Sequence, residues 1–308
     1  MSSLIPMVLI LATGVAWHKF EPGGITTQQL RSTLSALVVN LLAPTLILYV
    51  ILTTPLKEEL YQVPITGLIT ISFCLALAFI LFTLLLRTGY ITRPQAGALI
   101  LAASFGNGMG ISLPAVEALF GADMASIPLI YDLLATVPFV WIIAVLVAAH
   151  FGTRIAGGHL GRELLLMPPV WAILIALTLR YFQWLPHESI IQAFKMMGQA
   201  TVPLLLLMVG VNFRISSLKY ILLTLPAMLI KLVVSPAVAF ATGVPVGLSG
   251  EVLIITSITA AAPPVIVGIA LADRFKLDSA LFCTALTLGT AGYLLIAPGL
   301  SNYLTLFI

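Results

Sequence analysis

Charge is what this sequence has least of. Only 8% of its 308 residues are Asp, Glu, Lys or Arg, against 60% hydrophobic, and the mean hydropathy is +1.15. A water-soluble domain cannot cover its surface with so few charges, so a cytosolic enzyme or soluble binding module is excluded and a polytopic membrane protein remains. Cysteine is almost absent. Cys74 and Cys283 both fall in apolar stretches, which argues against a disulfide. Histidine is scarce, and His18, His150, His159 and His187 fall at span ends or in loops, so their spacing supports no metal site. The apolar segments hold no pair of acids, no HExxH motif and no Ser/Lys dyad, so no enzyme is expected. No soluble domain or low-complexity linker interrupts the chain. The first apolar stretch, Leu4 to Trp17, has no basic residue before it and reads as a retained span.

What is present is a series of apolar segments. Ten spans are expected, at about 3–18, 32–53, 64–86, 95–120, 126–150, 164–183, 192–212, 218–241, 250–272 and 278–300, each near the ~20 residues that a bilayer core requires. Trp17 and Trp184 sit at span ends, as interfacial anchors do. Lys19, Arg31, Arg87, Arg93, Arg154, Arg162, Arg214, Lys219, Arg274 and Lys276 then share one side, and Lys57, Arg180 and Lys195 the other. By the positive-inside rule the first side is cytoplasmic, and both termini are expected outside.

One stretch cannot be an ordinary membrane helix. Gly106, Gly108 and Gly110 surround Asn107 and are followed by Pro114, in the middle of the fourth span. Glycine lowers helix propensity and proline removes a donor, so the helix should break near the midplane and restart close to Ile111–Pro114. Such a break is tolerated only where the freed backbone faces protein or a wet cavity. The restarted half presents N–H groups and a positive dipole end, a site for an anion. Asn107 would either donate to that anion or cap the broken backbone.

The two halves look related. Asn40 and Gln199, Pro44 and Pro203, and Tyr61 and Tyr220 are each 159 apart (199 − 40, 203 − 44, 220 − 61). Five spans per half would invert the second half relative to the first, as in many secondary transporters. The repeat predicts a second break in the ninth span, and Pro263-Pro264 supplies it. The expected architecture is all-α, ten transmembrane helices in a 5+5 inverted repeat, 1–150 and 164–308, with broken helices 4 and 9 crossing.

The run Asn107-Gly-Met-Gly-Ile-Ser-Leu-Pro114-Ala-Val-Glu-Ala-Leu-Phe-Gly121, together with Ile230-Lys231-Leu-Val-Val-Ser-Pro236 and Pro263-Pro264, resembles the auxin efflux carrier family. These are bacterial relatives of the plant PIN-FORMED carriers, within the bile acid/arsenite transporter superfamily. The resemblance implies a scaffold of spans 1, 2, 6 and 7 and a transport domain of spans 3–5 and 8–10. It also implies homodimers in a bacterial inner membrane and elevator-type export of small organic anions such as indole acetate or dicarboxylates. The rivals are a sodium-coupled symporter of the bile acid type and a non-transporting membrane sensor.

The expected substrate-binding set is Asn107, Gly108, Gly110, Pro114, Pro263 and Pro264, with Asn40 and Gln199 either facing the site or bonding between helices. Lys231 lies inside the eighth span. It should attract the anion or pair with a carboxylate, unless it snorkels to an interface. Asp132 and Glu117 are expected beside the outward turn between spans four and five, Asp132 as a proton carrier or cation partner and Glu117 as an interfacial acid. No organic cofactor, metal or nucleic acid is expected; coupling to protons, sodium or membrane potential stays open.

Overall fold

A computed structural model describes residues 5–53, 59–153, 168–213 and 217–304. Lys57, Arg154, Arg162, Arg214 and His159, and most of the link between the halves, lie outside the described residues. The rest is helical, and the one β-type contact among the described residues is a single antiparallel bridge.

Each expected span coincides with helix, and the fourth and ninth are each split in two. In chain order these are α1 (Ile5–Phe20), α2 (Thr27–Thr53), α3 (Glu59–Arg87), α4 (Arg93–Ser104) and α5 (Gly108–Phe120). Then follow α6 (Asp123–Phe151), α7 (Pro168–Tyr181), α8 (Glu188–Val211) and α9 (Lys219–Val246). The chain closes with α10 (Gly250–Ala260), α11 (Val267–Arg274) and α12 (Ser279–Leu304). Among the described residues, α2, α3, α6, α8, α9 and most of α12 are long and apolar enough to cross a membrane. Apolar side chains such as Leu9, Phe73, Leu146, Leu222 and Leu295 point outward, a surface that suits lipid.

Local chemistry sets the ends. The α2 start lies ahead of its expected position because Thr26 and Gln29 close a reciprocal cap, Gln29 N–H donating to Thr26 Oγ1 at 3.3 Å and Thr26 N–H to Gln29 Oε1 at 3.0 Å. At the start of α4, Thr92 N–H donates to Gln95 Oε1 at 3.0 Å. Several helices are wound wide in one turn, with i to i+5 bonding: Val38–Leu42 in α2, Gly108–Ser112 opening α5, Asp132–Thr136 and Val140–Ala144 in α6, and Ile230–Val234 in α9. Such turns are rare and gather at functional sites.

The largest buried cluster draws on α3, α4, α5, α6, α9, α10, α11 and α12, and takes no residue from α1, α2, α7 or α8. Those four helices pack around it in pairs. α1 lies along the second half of α8, where Gly14 and Gly210 let the backbones touch, and α7 lies along the second half of α2. Smaller clusters join α1 and α8 to α5, α10 and α12, and α2 and α7 to α5 and α6.

Candidate functional site

The two breaks lie side by side. Between α4 and α5 the chain runs extended through Phe105, Gly106 and Asn107, and between α10 and α11 through Pro263, Pro264 and Val265. Asn107 N–H donates to the Pro263 carbonyl at 2.8 Å, and Val265 N–H to the Phe105 carbonyl at 3.0 Å. These bonds flank the facing pair Gly106 and Pro264. In an antiparallel ladder such a pair exchanges no hydrogen bond of its own. The donor that Pro264 lacks is therefore not needed, which is why proline fits there.

The α5 restart differs from its expected place. The helix resumes at Gly108, ahead of Ile111, because a wide turn lets Ile111 N–H (3.1 Å) and Ser112 N–H (3.3 Å) both donate to the Asn107 carbonyl. Asn107 is buried, and its Oδ1 accepts from Gly110 N–H at 3.0 Å while its Nδ2 has no hydrogen-bond partner. The side chain is thus a cap through its oxygen and a free donor through its nitrogen. Pro114 falls in the first turn after the wide one, where its missing donor costs little.

Each glycine of the motif makes room for one polar side chain. A Cβ on Gly106 would lie 2.9 Å from Lys231 Nζ, one on Gly108 would lie 3.1 Å from Asp132 Oδ1, and one on Gly110 would lie 2.5 Å from Asn107 Oδ1. Lys231 is 2% exposed and does not snorkel; it stands against the break. Asp132 is not beside the outward turn. It is 6% exposed, and its Oδ2 accepts from Met109 N–H at 2.9 Å, while Oδ1 has no hydrogen-bond partner. Lys231 and Asp132 each sit on a wide turn, interact electrostatically, and share no hydrogen bond or contact ion pair.

On the other flank of the breaks runs a string of buried hydroxyls that sequence reasoning largely missed. Tyr293 donates to Ser112 Oγ at 3.2 Å, Ser112 to Thr259 Oγ1 at 3.1 Å, and Thr259 to the Ile255 carbonyl at 2.7 Å. Ser235, four residues past Lys231, donates to the Ala260 carbonyl at 2.7 Å and so ties α9 to the end of α10. Ser112 and Ser235 lie inside the two quoted motif runs, which is the signal that could have found them; Tyr293 carries none.

Asn40, Gln199 and Glu117 stand apart from the breaks. Asn40 is exposed and its Nδ2 donates to the Ala36 carbonyl at 2.8 Å. Gln199 is exposed at the kink of α8, and Glu117 is exposed on α5. Pro263 and Pro264 are buried in the bridge. Ser257, on α10 ahead of the second break, donates to the Leu253 carbonyl at 2.8 Å.

The arrangement offers a buried ammonium, an amide donor and two helix starts, which suits holding an anion without bond chemistry. The sequence matches the family described as membrane transport protein over residues 1–301. It is also similar to the uncharacterized transporter MJ1031 of Methanocaldococcus jannaschii, 20% identical over 304 residues that cover 95% of this chain and 97% of that protein. With a match along nearly its whole length, the chain belongs to the auxin efflux carrier family of membrane transport proteins.

Proposed function

We propose that this protein is a secondary carrier that exports small organic anions, and that the anion binds where the two breaks meet. The observation that carries this reading is Lys231. Insertion scales put an unbalanced cation at a helix centre at about 2.5–3.5 kcal/mol, a cost not retained in a merely structural span. Here that cation is fully buried against Gly106, within the backbone bridge that joins two helix starts. Asn107 Nδ2 adds an unused donor, and no side chain caps the start of α11. An anion between the two starts would accept from Asn107 and from the Ile266 and Val267 N–H groups, the next two, of Gly268 and Ile269, already donating to the Val265 and Ile266 carbonyls at 3.0 Å, with Lys231 offsetting its charge.

The packing supports the movement expected of such a carrier. One large core unites the helices of spans 3–5 and 8–10, while α1, α2, α7 and α8 meet it through smaller clusters. In our reading the former is the moving unit and the latter the scaffold and dimer platform. The paired packing of α1 on α8 and α7 on α2 is what a 5+5 inverted repeat would produce. Both ends then face the outside of a bacterial inner membrane.

The test is carboxylate flux in liposomes of the purified chain, with and without sodium and a proton gradient, for the natural sequence and Lys231→Met. Loss of a charged hydrogen-bond partner, worth ~1.5–3 kcal/mol, should weaken anion binding by roughly 10- to 100-fold. Undiminished flux in Lys231→Met would place the anion elsewhere, and strict sodium dependence would favour the symporter alternative.

A further inference from the structure

We propose that Asp132 is a resident stand-in for the transported anion: its carboxylate holds the α5 start while the site is empty and takes up a proton when a substrate carboxylate enters. This rests on the anion-carrier reading above. Oδ2 accepts the Met109 N–H, one of the first amides of α5 and therefore one of those a docked anion would use. Oδ1 is buried with no hydrogen-bond partner, and it lies over Gly108, where any side chain would displace it. The protein has placed its own carboxylate in the anion position.

The surroundings limit what can compensate that charge. Lys231 faces it from α9, Cys74 from α3 lies beside Lys231 and Tyr131, and Tyr131 precedes it on α6. The Thr136 hydroxyl and the Gly108 N–H are its other polar neighbours. α5 brings no ionisable group to this point, and Glu251 of α10 is at the exposed far end of its helix. In the empty site the Lys231 ammonium and the Asp132 carboxylate offset one another. A monocarboxylate adds a second negative charge, and two carboxylates sharing one buried site cannot both stay ionised.

The step is a proton transfer: a hydronium or buffer acid gives up its proton and keeps the bonding pair, and an O–H bond to Asp132 forms. A proton from the compartment that the site faces adds to a lone pair of Oδ1, and the resulting O–H donates to the incoming carboxylate. Met109 N–H and Asn107 Nδ2 are then free to turn to the substrate. Site charge is zero before loading, Lys231 against Asp132, and zero after, Lys231 against the substrate. One proton therefore travels with each monoanion, and the carrier returns with Asp132 ionised. The empty protonated site, with Lys231 unbalanced, is the disfavoured state, which limits proton leak.

Calorimetric titration of the purified full chain tests this, using indole-3-acetate as monoanion probe and malonate as dianion probe. Runs between about pH 7 and about pH 8.5 keep the free carboxylates of both probes ionised, and two buffers of different ionisation enthalpy count protons. The natural sequence should take up close to one proton per indole-3-acetate, with affinity rising as pH falls, up to about tenfold per unit. Asp132→Asn should bind with no uptake and no pH slope. Should that variant fail to fold, Asp132→Ser, which keeps an oxygen near Met109 N–H and cannot ionise, must show the same loss of uptake and of pH slope. Binding without uptake, or uptake that persists in Asp132→Asn, overturns the proposal and leaves the carboxylate site standing. If neither probe binds at any pH, the carboxylate-site reading itself falls, and this proposal with it.

Discussion

The two breaks do one job by opposite chemistry. The first is made of glycine: Gly106, Gly108 and Gly110 give up their side chains, and Lys231, Asp132 and Asn107 fill the vacated space. The second is made of proline: Pro263 and Pro264 hold the chain extended by geometry alone, at a position in the bridge where no donor is required. In consequence the α5 start is occupied by the chain's own oxygens from Asn107 and Asp132, whereas the α11 start has no side-chain cap. A glycine break admits functional side chains to the backbone; a proline break leaves the helix start to backbone bonds alone, Gly268 and Ile269 N–H donating to the Val265 and Ile266 carbonyls. The proposed binding site uses both kinds of break.

The largest effect should come from erasing the proline side of that contrast. With Pro263→Ala and Pro264→Ala together, the Ala260-Ala261-Ala262 run can carry α10 onward, alanine being the best helix former. Asn107 N–H and the Phe105 carbonyl then lose the Pro263 and Val265 partners they have in the bridge. The double variant should still insert and run monodisperse while flux falls to background. Pro264→Ala alone should keep most activity, because its new N–H sits where the ladder asks for none. A fully active double variant would mean that the crossing is not needed for transport.

A smaller effect separates the two uses of Asn107. Asn107→Ala removes both the cap and the free amide nitrogen. Losing the cap costs ~0.5–2 kcal/mol of stability, and losing the donor about tenfold or more in anion affinity. Asn107→Asp keeps an oxygen for Gly110 N–H yet replaces the donor with a negative charge. It should therefore match the natural protein in melting temperature more closely than Asn107→Ala while binding anion less well than Asn107→Ala. An Asn107→Asp that binds anion no worse than Asn107→Ala would make Asn107 a cap and nothing more, and one that melts below Asn107→Ala would remove the cap role.

Much of this was legible before any coordinates. The helical segments, the two breaks and the need of Lys231 for protein or water follow from residue types that act locally: glycine and proline break helices wherever they stand, and a charge in an apolar run must be accommodated. Asp132 was legible as a charge but not as a place. Its position depends on the direction in which α6 leaves the turn at Gly121 and on the wide turn Asp132–Thr136, which has no compositional signature. The same applies to the Ser112–Thr259–Tyr293 string, which joins α5, α10 and α12 across long stretches of sequence. Asn40 and Gln199 were selected by repeat spacing, and spacing fixes the helix but not its exposed face.

The smallest predicted effect concerns the far ends of the two restarted helices, where the comparison also holds. In the last turn of α11, Asp273 accepts from Arg31 of α2 at 3.2 Å and from Ser279 Oγ at 2.5 Å. At the corresponding end of α5, Glu117 is exposed and Gly121 turns the chain with a positive φ of 96°. The Arg31–Asp273 pair is 37% and 54% exposed, so water and salt screen it and its contribution should stay within ~1 kcal/mol. It nevertheless joins a helix of the proposed scaffold to a helix of the proposed moving unit. A tie of that size biases a two-state equilibrium by at most about fivefold. Arg31→Ala should leave anion affinity unchanged within that factor, barely move the melting temperature, and raise the exchange rate if the tie holds the resting state. Reversing the pair, Arg31→Asp with Asp273→Arg, should restore the natural rate. A loss of binding greater than tenfold in Arg31→Ala would show instead that α11 is held in register from its C-terminal end, and that its open start depends on a contact at the membrane surface.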